Sequence, residues 1–374
     1  MATGTSSAST QLENVASEEA EQIASIVKAT EAQLRFRYGN KPPFLRGVHP
    51  KAHGCVEATF TVMEKLGEKY RVGLFAQPGR QYRADIRFSN AAPLVTPDSP
   101  EDPPQSGKRG HGSRGMAVKL HGVGGKRLVP DDGEDTQDFL MINQPVFAFA
   151  NVEDYEVLSR VVAEDKEDPR RFFGRLASTN EKVRTRAEVT KKIIDRIKSL
   201  SLPDAFAAPP LSPLDNRYFT AAPFLFGEGH VAKFSANPAA PVEGELGDAI
   251  AEKDYLRAAL NKRLAVTGGD DIVFYFEVQR RPIDANLNID DDIENACTFW
   301  DEKKYPFEKV AMITIRPQDI NAREEACERL EFSPWHGLVE HRPLGSINRM
   351  RRTVYEKSWE LRRCPVSTAP ASSG

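Results

Sequence analysis

Cysteine is scarce in this chain. There are four, Cys55, Cys297, Cys327 and Cys364, with no CxxC or zinc-finger spacing. That excludes a dense disulfide framework and a sequence-local zinc site. Reduced thiols and a cytoplasmic location are the expectation. No apolar run reaches the roughly 18 residues of a membrane helix, so no stable membrane insertion is expected. Charge of either sign is not in large excess: the formal net charge is −3, which gives no general attraction to nucleic acid. The first residues, Met1 to Gln11, lack the apolar h-region of a signal peptide. There is no internal repeat. What is present, 40% hydrophobic and 28% charged residues over 374 positions, suits a globular protein with a sizeable core.

Residues 1 to about 14 are small and polar and are expected to be disordered. A helix follows. Ser17 is its expected N-cap, and Ile23, Ile26, Val27 and Leu34 recur at helical spacing. Tyr38-Gly39 and Pro42-Pro43 end it. Strand patterns come next: Val56, Ala58, Phe60 and Val62 alternate with polar residues, as do Ala84, Ile86 and Phe88. Met116 to Leu120 is a further strand candidate, and Asn90 to Gly112 reads as a loop. Tyr155 to Ala163, Glu181 to Leu200, and Asp254 to Leu264 read as helices. A Pro-rich stretch, Pro203 to Pro223, follows the second of them. Ile272 to Val278 and Val310 to Ile315 return to strand. Phe332 to Pro343 is a loop, and a last helix runs from about Ile347 to Arg363. Strands followed by helices indicate an α+β protein with an antiparallel sheet or barrel.

Two segments roughly 300 residues apart carry reactive side chains. The first is Arg46-Gly47-Val48-His49-Pro50-Lys51. The second is Arg351-Arg352-Thr353-Val354-Tyr355. Each has a bland reading. His49 with His53 is spaced for a metal pair, but Pro50 disfavours a regular helix there and no third ligand lies near. Tyr355 alone is an ordinary helix aromatic, and the arginines around it are an ordinary basic face. Gly122-Val123-Gly124-Gly125 lacks dinucleotide-fingerprint spacing and reads as a turn. Trp300, Trp335 and Trp359 read as core or pocket-rim aromatics.

In order along the chain, these strings resemble the catalase superfamily, in particular its short haem-containing peroxidases and hydroperoxide-converting members. The resemblance runs from about Pro42 to Arg363. Arg46-Gly47-Val48-His49 is similar to the segment with the distal histidine, which makes His49 the acid/base and Arg46 a partner of a haem propionate. Arg87-Phe88-Ser89 is similar to the family's RFS strand, where the arginine serves a propionate and the serine supports the histidine. Arg114-Gly115-Met116-Ala117-Val118-Lys119 is similar to RGFAVK. Asn143-Gln144-Pro145-Val146-Phe147 resembles the stretch with the distal asparagine, although in strict register with Pro145-Val146-Phe147 that position falls on Ile142. A one-residue slip reverses the strand face, so Asn143 and Ile142 are physically distinct alternatives. Tyr155 falls where the family places an aromatic over the haem, and Phe147 is a further cofactor-binding residue that the resemblance implies. Arg351 and Tyr355 match the proximal RxxxY, and Arg362 a third propionate arginine.

The resemblance implies a catalase-like antiparallel β-barrel core with surrounding helices and a haem pocket. The expected layout is a disordered N-terminus and leading helix at 1–37, a haem domain at 38–364 and a disordered tail at 365–374. The implied cofactor is haem b with Tyr355 as iron ligand, the ligation the handful of tyrosinate haem enzymes share. Arg351, one helical turn earlier, supplies a permanent cation that suits a phenolate. The implied activity is peroxidase turnover of hydrogen peroxide or organic hydroperoxides through a ferryl intermediate, with residual catalase activity. His49 moves the proton between the peroxide oxygens. Two alternatives remain: a fatty-acid hydroperoxide isomerase or lyase of the allene oxide synthase kind, against which Val48 argues mildly, and a non-catalytic haem-binding protein. Expected partners are the peroxide and a small organic electron donor, with a homodimer admitted.

Overall fold

A computed structural model describes residues 12–39, 44–91, 98, 113–129, 135–164, 176–199, 210–240, 252–265 and 269–363. The expectations for residues 1–11, for 364–374, for most of the loop after Asn90, and for 203–209 lie outside those residues.

Among the described residues, nine strands form one antiparallel sheet: β1 (Ala52–Val62), β2 (Gln81–Asn90), β3 (Arg114–His121), β4 (Thr136–Ile142), β5 (Tyr218–Phe219), β6 (Phe224–Leu225), β7 (His230–Pro238), β8 (Ile272–Pro282) and β9 (Phe307–Ile315). Their order is β5-β4-β3-β2-β1-β9-β8-β7-β6, and β5 also pairs with β7. That last pairing closes eight strands into a barrel, and β6 extends the edge of β7 beyond β5. Closure removes the free edges that an open sheet would present. The α+β barrel expected from the sequence is the observed architecture.

The period-two pattern explains which way each strand faces. Ala84, Ile86 and Phe88 of β2 join the core, with Val56, Phe60, Val118 and Phe139 from neighbouring strands. Aromatic rings fill the barrel: Phe139 lies 4.8 Å from Phe276 and 4.9 Å from Phe234, and Phe60 lies 5.1 Å from Phe276. Such rings combine large apolar burial with edge-on contacts, so the barrel is a packed core and not a channel. The strand β7 alternates too: Ala232, Phe234 and Ala236 join the barrel core, and Lys233 and Ser235 are buried on its other face.

Six α-helices among the described residues surround the barrel: α1 (Glu19–Tyr38), α2 (Val152–Glu164), α3 (Glu181–Ser199), α4 (Tyr255–Leu264), α5 (Glu324–Glu328) and α6 (Ser346–Arg363). Ile26 of α1, Val152 of α2, and Ile347, Met350 and Val354 of α6 share one apolar cluster. An ionic clamp reinforces it. Arg349 of α6 receives Glu19 at 2.7 Å, Glu13 at 2.6 Å and Glu294 at 3.0 Å. The expected disorder therefore stops short of residues 12–14: Leu12 is buried, and Asn14 bonds Asp290 and Glu294. Ser17 is not the N-cap of α1. Glu18 holds that position without a side-chain cap bond, and Glu19 is drawn to Arg349.

The expectation of reduced thiols is corrected for one pair. Cys55 of β1 and Cys327 of α5 form a disulfide, with Cα atoms 5.8 Å apart. Their sequence separation of 272 hides the proximity from any spacing rule. No described helix is long and apolar enough to cross a membrane.

Candidate active site outside the barrel wall

The site lies on the outer face of strands β1 to β4. Because Ile86 and Phe88 point inward, Arg87 and Ser89 point out. On β3, the residues paired across from them are Ala117 and Gly115. The segment before β1 brings His49 against this wall. Its Nδ1 shares a 2.9 Å hydrogen bond with Ser89 Oγ. Gly115 makes the seat. A Cβ there would lie 2.4 Å from His49 Nδ1 and 2.5 Å from its Cε1. His49 itself adopts φ 57°, a left-handed conformation uncommon for a residue with a side chain. Arg87 Nη1 donates to the His49 carbonyl at 3.0 Å and holds that backbone in place.

Burial lowers the His49 imidazole pKa to about 3, and the nearby cations Arg87, Arg351 and Arg46 add to the effect. His49 is therefore neutral at physiological pH. Its Nε2 has no hydrogen-bond partner among the described residues and is free to accept a proton. Val48, half-buried, precedes it.

Three arginines gather beside this imidazole. Arg87 Nη2 reaches Glu328 Oε1 at 3.2 Å, Arg46 pairs with Glu328 Oε2, and Arg362 Nη1 donates to the Glu328 carbonyl at 3.2 Å. Arg46 also donates to Leu330 O at 2.8 Å. Burial lowers the pKa of all three, and Arg46 is lowered further by Arg87 and Arg362. That of Arg362 falls to about 10, so it stays charged at neutral pH. The Glu328 carboxylate pairs with two of these cations, the third lies near both Glu328 and Glu331, and Arg362 Nε is buried without a hydrogen-bond partner. The cluster is a cradle with unmet capacity for anions.

The helix α6 supplies the other side. Arg351 Nη2 lies 3.5 Å from the Tyr355 hydroxyl, and its guanidinium sits 5.4 Å from that ring and 5.7 Å from the Phe147 ring. Asn348 Oδ1 accepts from Arg351 Nη1 at 3.1 Å and fixes its direction. Tyr155 stacks edge-on with Phe149 at 4.9 Å. Burial, with Tyr355 close by, pushes its pKa up to about 12, so it remains a neutral phenol.

The structure thus brings Arg46, Val48, His49, Arg87 and Ser89 to one wall and sets Phe147, Tyr155, Arg351 and Tyr355 around α6, with Arg362 joining the two groups. It turns Asn143 elsewhere. That side chain accepts from Arg114 N at 2.7 Å and donates to Asn216 Oδ1 at 3.2 Å. Ile142 pairs with Gly115 across the β3–β4 ladder without a register shift. Cross-strand partners share a face, so Ile142 stands on the His49 side. Two contributors were not visible from motifs: Glu328, an unremarked acid in a short helix, and the disulfide that tethers its neighbour Cys327 to β1. Gly115 was within reach, since a glycine inside a strand often marks a close approach.

No protein-family model and no curated sequence matches the chain. Solved structures do match. A fungal catalase aligns with a TM-score of 0.62 at 14% identity, over 88% of this chain and 61% of that one. Catalase A from Saccharomyces cerevisiae gives 0.61 at 14% identity, over 87% and 62%. A bacterial catalase gives 0.58 at 16% identity, over 97% and 63%. The chain spans about three fifths of the length of these proteins and shares their fold.

Proposed function

From a catalase fold with a neutral histidine and an arginine cradle on its outer wall, we propose a haem-dependent peroxidase. The substrates are hydrogen peroxide or organic hydroperoxides, with residual catalase activity. The observation that carries this is the pairing of His49, seated on Gly115 and Ser89, with Arg46, Arg87 and Arg362, two of which share the one Glu328 carboxylate. The arginine excess fits a cofactor bearing two carboxylates, and the phenol of Tyr355 beside Arg351 fits a metal ligand. Haem b would be held by Tyr355 at iron and by Arg46, Arg87 and Arg362 at its propionates. When bound, it supplies the redox centre that takes up the oxidising equivalents of the peroxide.

His49 supplies the acid/base. Ser89 fixes Nδ1, which leaves Nε2 to take the proton from one peroxide oxygen and return it to the other. Arg87 links this histidine to the cradle through the His49 carbonyl. Ile142, on the same face, offers no hydrogen bond to a small peroxide. That favours organic hydroperoxides over efficient dismutation of hydrogen peroxide, and it keeps a hydroperoxide isomerase as the second reading.

Reconstitution of the full chain with haem should produce a Soret band that Tyr355→Phe alters. Turnover of an alkyl hydroperoxide with a reducing donor should collapse in a haem-loaded His49→Ala variant. Wild-type turnover by that variant would sink the mechanism. Consumption of a lipid hydroperoxide without a donor, with rearranged product, would favour the isomerase.

A further inference from the structure

The outer face of β3 runs on from Gly115 through Ala117 to Lys119 and His121. Lys119 is four residues from Gly115, roughly 13 Å along the strand. There a cleft of about 970 Å³ opens between β3, β4, the loop after α5 and α6. Its lining includes Trp335, His336, Trp359 and Arg362, the last shared with the arginine cradle.

One imidazole in this cleft is held in a fixed pose. His336 Nδ1 lies 3.1 Å from Asp138 Oδ2. Asp138 is fully buried, and it is anchored by Ser333 N at 3.0 Å and Lys119 Nζ at 3.0 Å. The Asp138 amide also donates to the His336 carbonyl at 2.8 Å. Lys119 Nζ also lies 3.4 Å from Nδ1. In the neutral tautomer that donates Nδ1–H to the carboxylate, Nε2 carries the lone pair. The nearest acid to Nε2, Glu331, stands 3.8 Å away, beyond hydrogen-bond reach. Burial raises the Glu331 pKa, with His336 opposing.

The walls are planar and apolar with cations over them. Trp335 is locked by its Nε1–H to Asn348 O at 2.7 Å, and Arg352 sits 5.1 Å from its ring. Arg362 sits 4.7 Å from the Trp359 ring. Four lysine or arginine side chains face four glutamates around the cleft, so a carboxylate gains nothing from net field. A neutral ring with one weakly acidic proton is the better match. Its plane lies on indole, its proton meets a base, and nearby guanidinium groups favour the oxyanion that results.

We propose that this cleft binds a phenol, with its ring against Trp335 and Trp359 and its hydroxyl donating to His336 Nε2. Resting on the peroxidase reading, the phenol is the reducing substrate. Each phenol gives one electron to the peroxide-oxidised centre and its hydroxyl proton to His336, and leaves as a phenoxyl radical. Two phenols and one hydroperoxide yield two radicals, one alcohol and one water.

Calorimetric titration of the full-length protein with p-cresol tests the site directly. Saturable binding is expected, weakened about tenfold in both His336→Leu and Trp359→Ala, the loss of one hydrogen bond or one ring face. 4-Methylanisole, which lacks the hydroxyl proton, should bind about tenfold more weakly to the wild type. Circular dichroism confirms that each variant is folded. Absence of saturable p-cresol binding, wild-type affinity in both folded variants, or equal binding of the ether overturns the proposal. A missing Soret band with p-cresol binding intact would instead count against the peroxidase reading, so the two failures are separable.

Discussion

Gly115→Ala places the smallest side chain at the most crowded point of the site. The new Cβ would lie 2.4 Å from His49 Nδ1, 2.5 Å from Cε1 and 2.8 Å from Ser89 Oγ. Non-bonded carbon contacts settle at about 3.5–4.0 Å, so the imidazole must retreat by roughly 1 Å. Its retreat breaks the Ser89 bond and pulls on a backbone already in the left-handed region. Overpacking of this kind costs about 1–3 kcal/mol of stability. Displacement of a proton-transfer group by ~1 Å costs about 100-fold in rate. The expected result is a folded protein with a lower urea midpoint and hydroperoxide turnover reduced about 100-fold at equal haem loading. Gly124→Ala is the control, because nothing lies within 4 Å of a Cβ there. A Gly115→Ala variant with wild-type midpoint and wild-type turnover would refute the seating of His49.

Three further outcomes follow from the same geometry. Burial lowers the pKa of His49 to about 3 and those of His53 and His341 to about 4. Below the unfolded value near 6.5 the unfolded chain binds more protons, so stability is full above that pH and declines as pH falls toward the folded values. The loss is about 2 kcal/mol per histidine at pH 5, and urea midpoints that stay flat from pH 7 to 5 would contradict it. The Cys55–Cys327 disulfide spans 272 residues, and chain entropy sets its stabilisation at up to about 5 kcal/mol. Reductant should lower the melting temperature, and thiol titration in denaturant should find four free thiols only after reduction. Ile142→Asn returns a hydrogen-bonding group to the His49 face and should raise hydrogen peroxide turnover relative to alkyl hydroperoxide. A ratio unchanged in initial-rate assays would remove Ile142 from the pocket.

Much of the barrel could be read from the chain because its strands obey a period of two. Ala84, Ile86 and Phe88 announce an inward face, and Arg87 and Ser89 then must look outward. The conjunction of His49 with the arginines was readable for the same reason: short strings fix local direction. Contacts between distant segments were not. Nothing near Glu328 distinguishes it from a solvated helix acid, and only the folded chain sets it on Arg46 and Arg87. The choice between Ile142 and Asn143 turned on a ladder partner, Gly115, on another strand. The strand β7 carries the same period of two, with Ala232, Phe234 and Ala236 alternating with Lys233, Ser235 and Asn237, so it too was within reach of the sequence.

The clamp between Glu13, Glu19 and Arg349 bears on the order of assembly. The wall that holds His49, Ser89 and Gly115 is complete early in synthesis, whereas Tyr355 and Arg362 follow hundreds of residues later. Contacts of such separation carry the largest loop-closure penalty and form late. Glu13 and Glu19, the latter the first residue of α1, must therefore wait for α6 before they meet Arg349. A cofactor held between these two walls, as proposed, would be captured only once both are in place, so the docking of one helical layer would decide whether it stays.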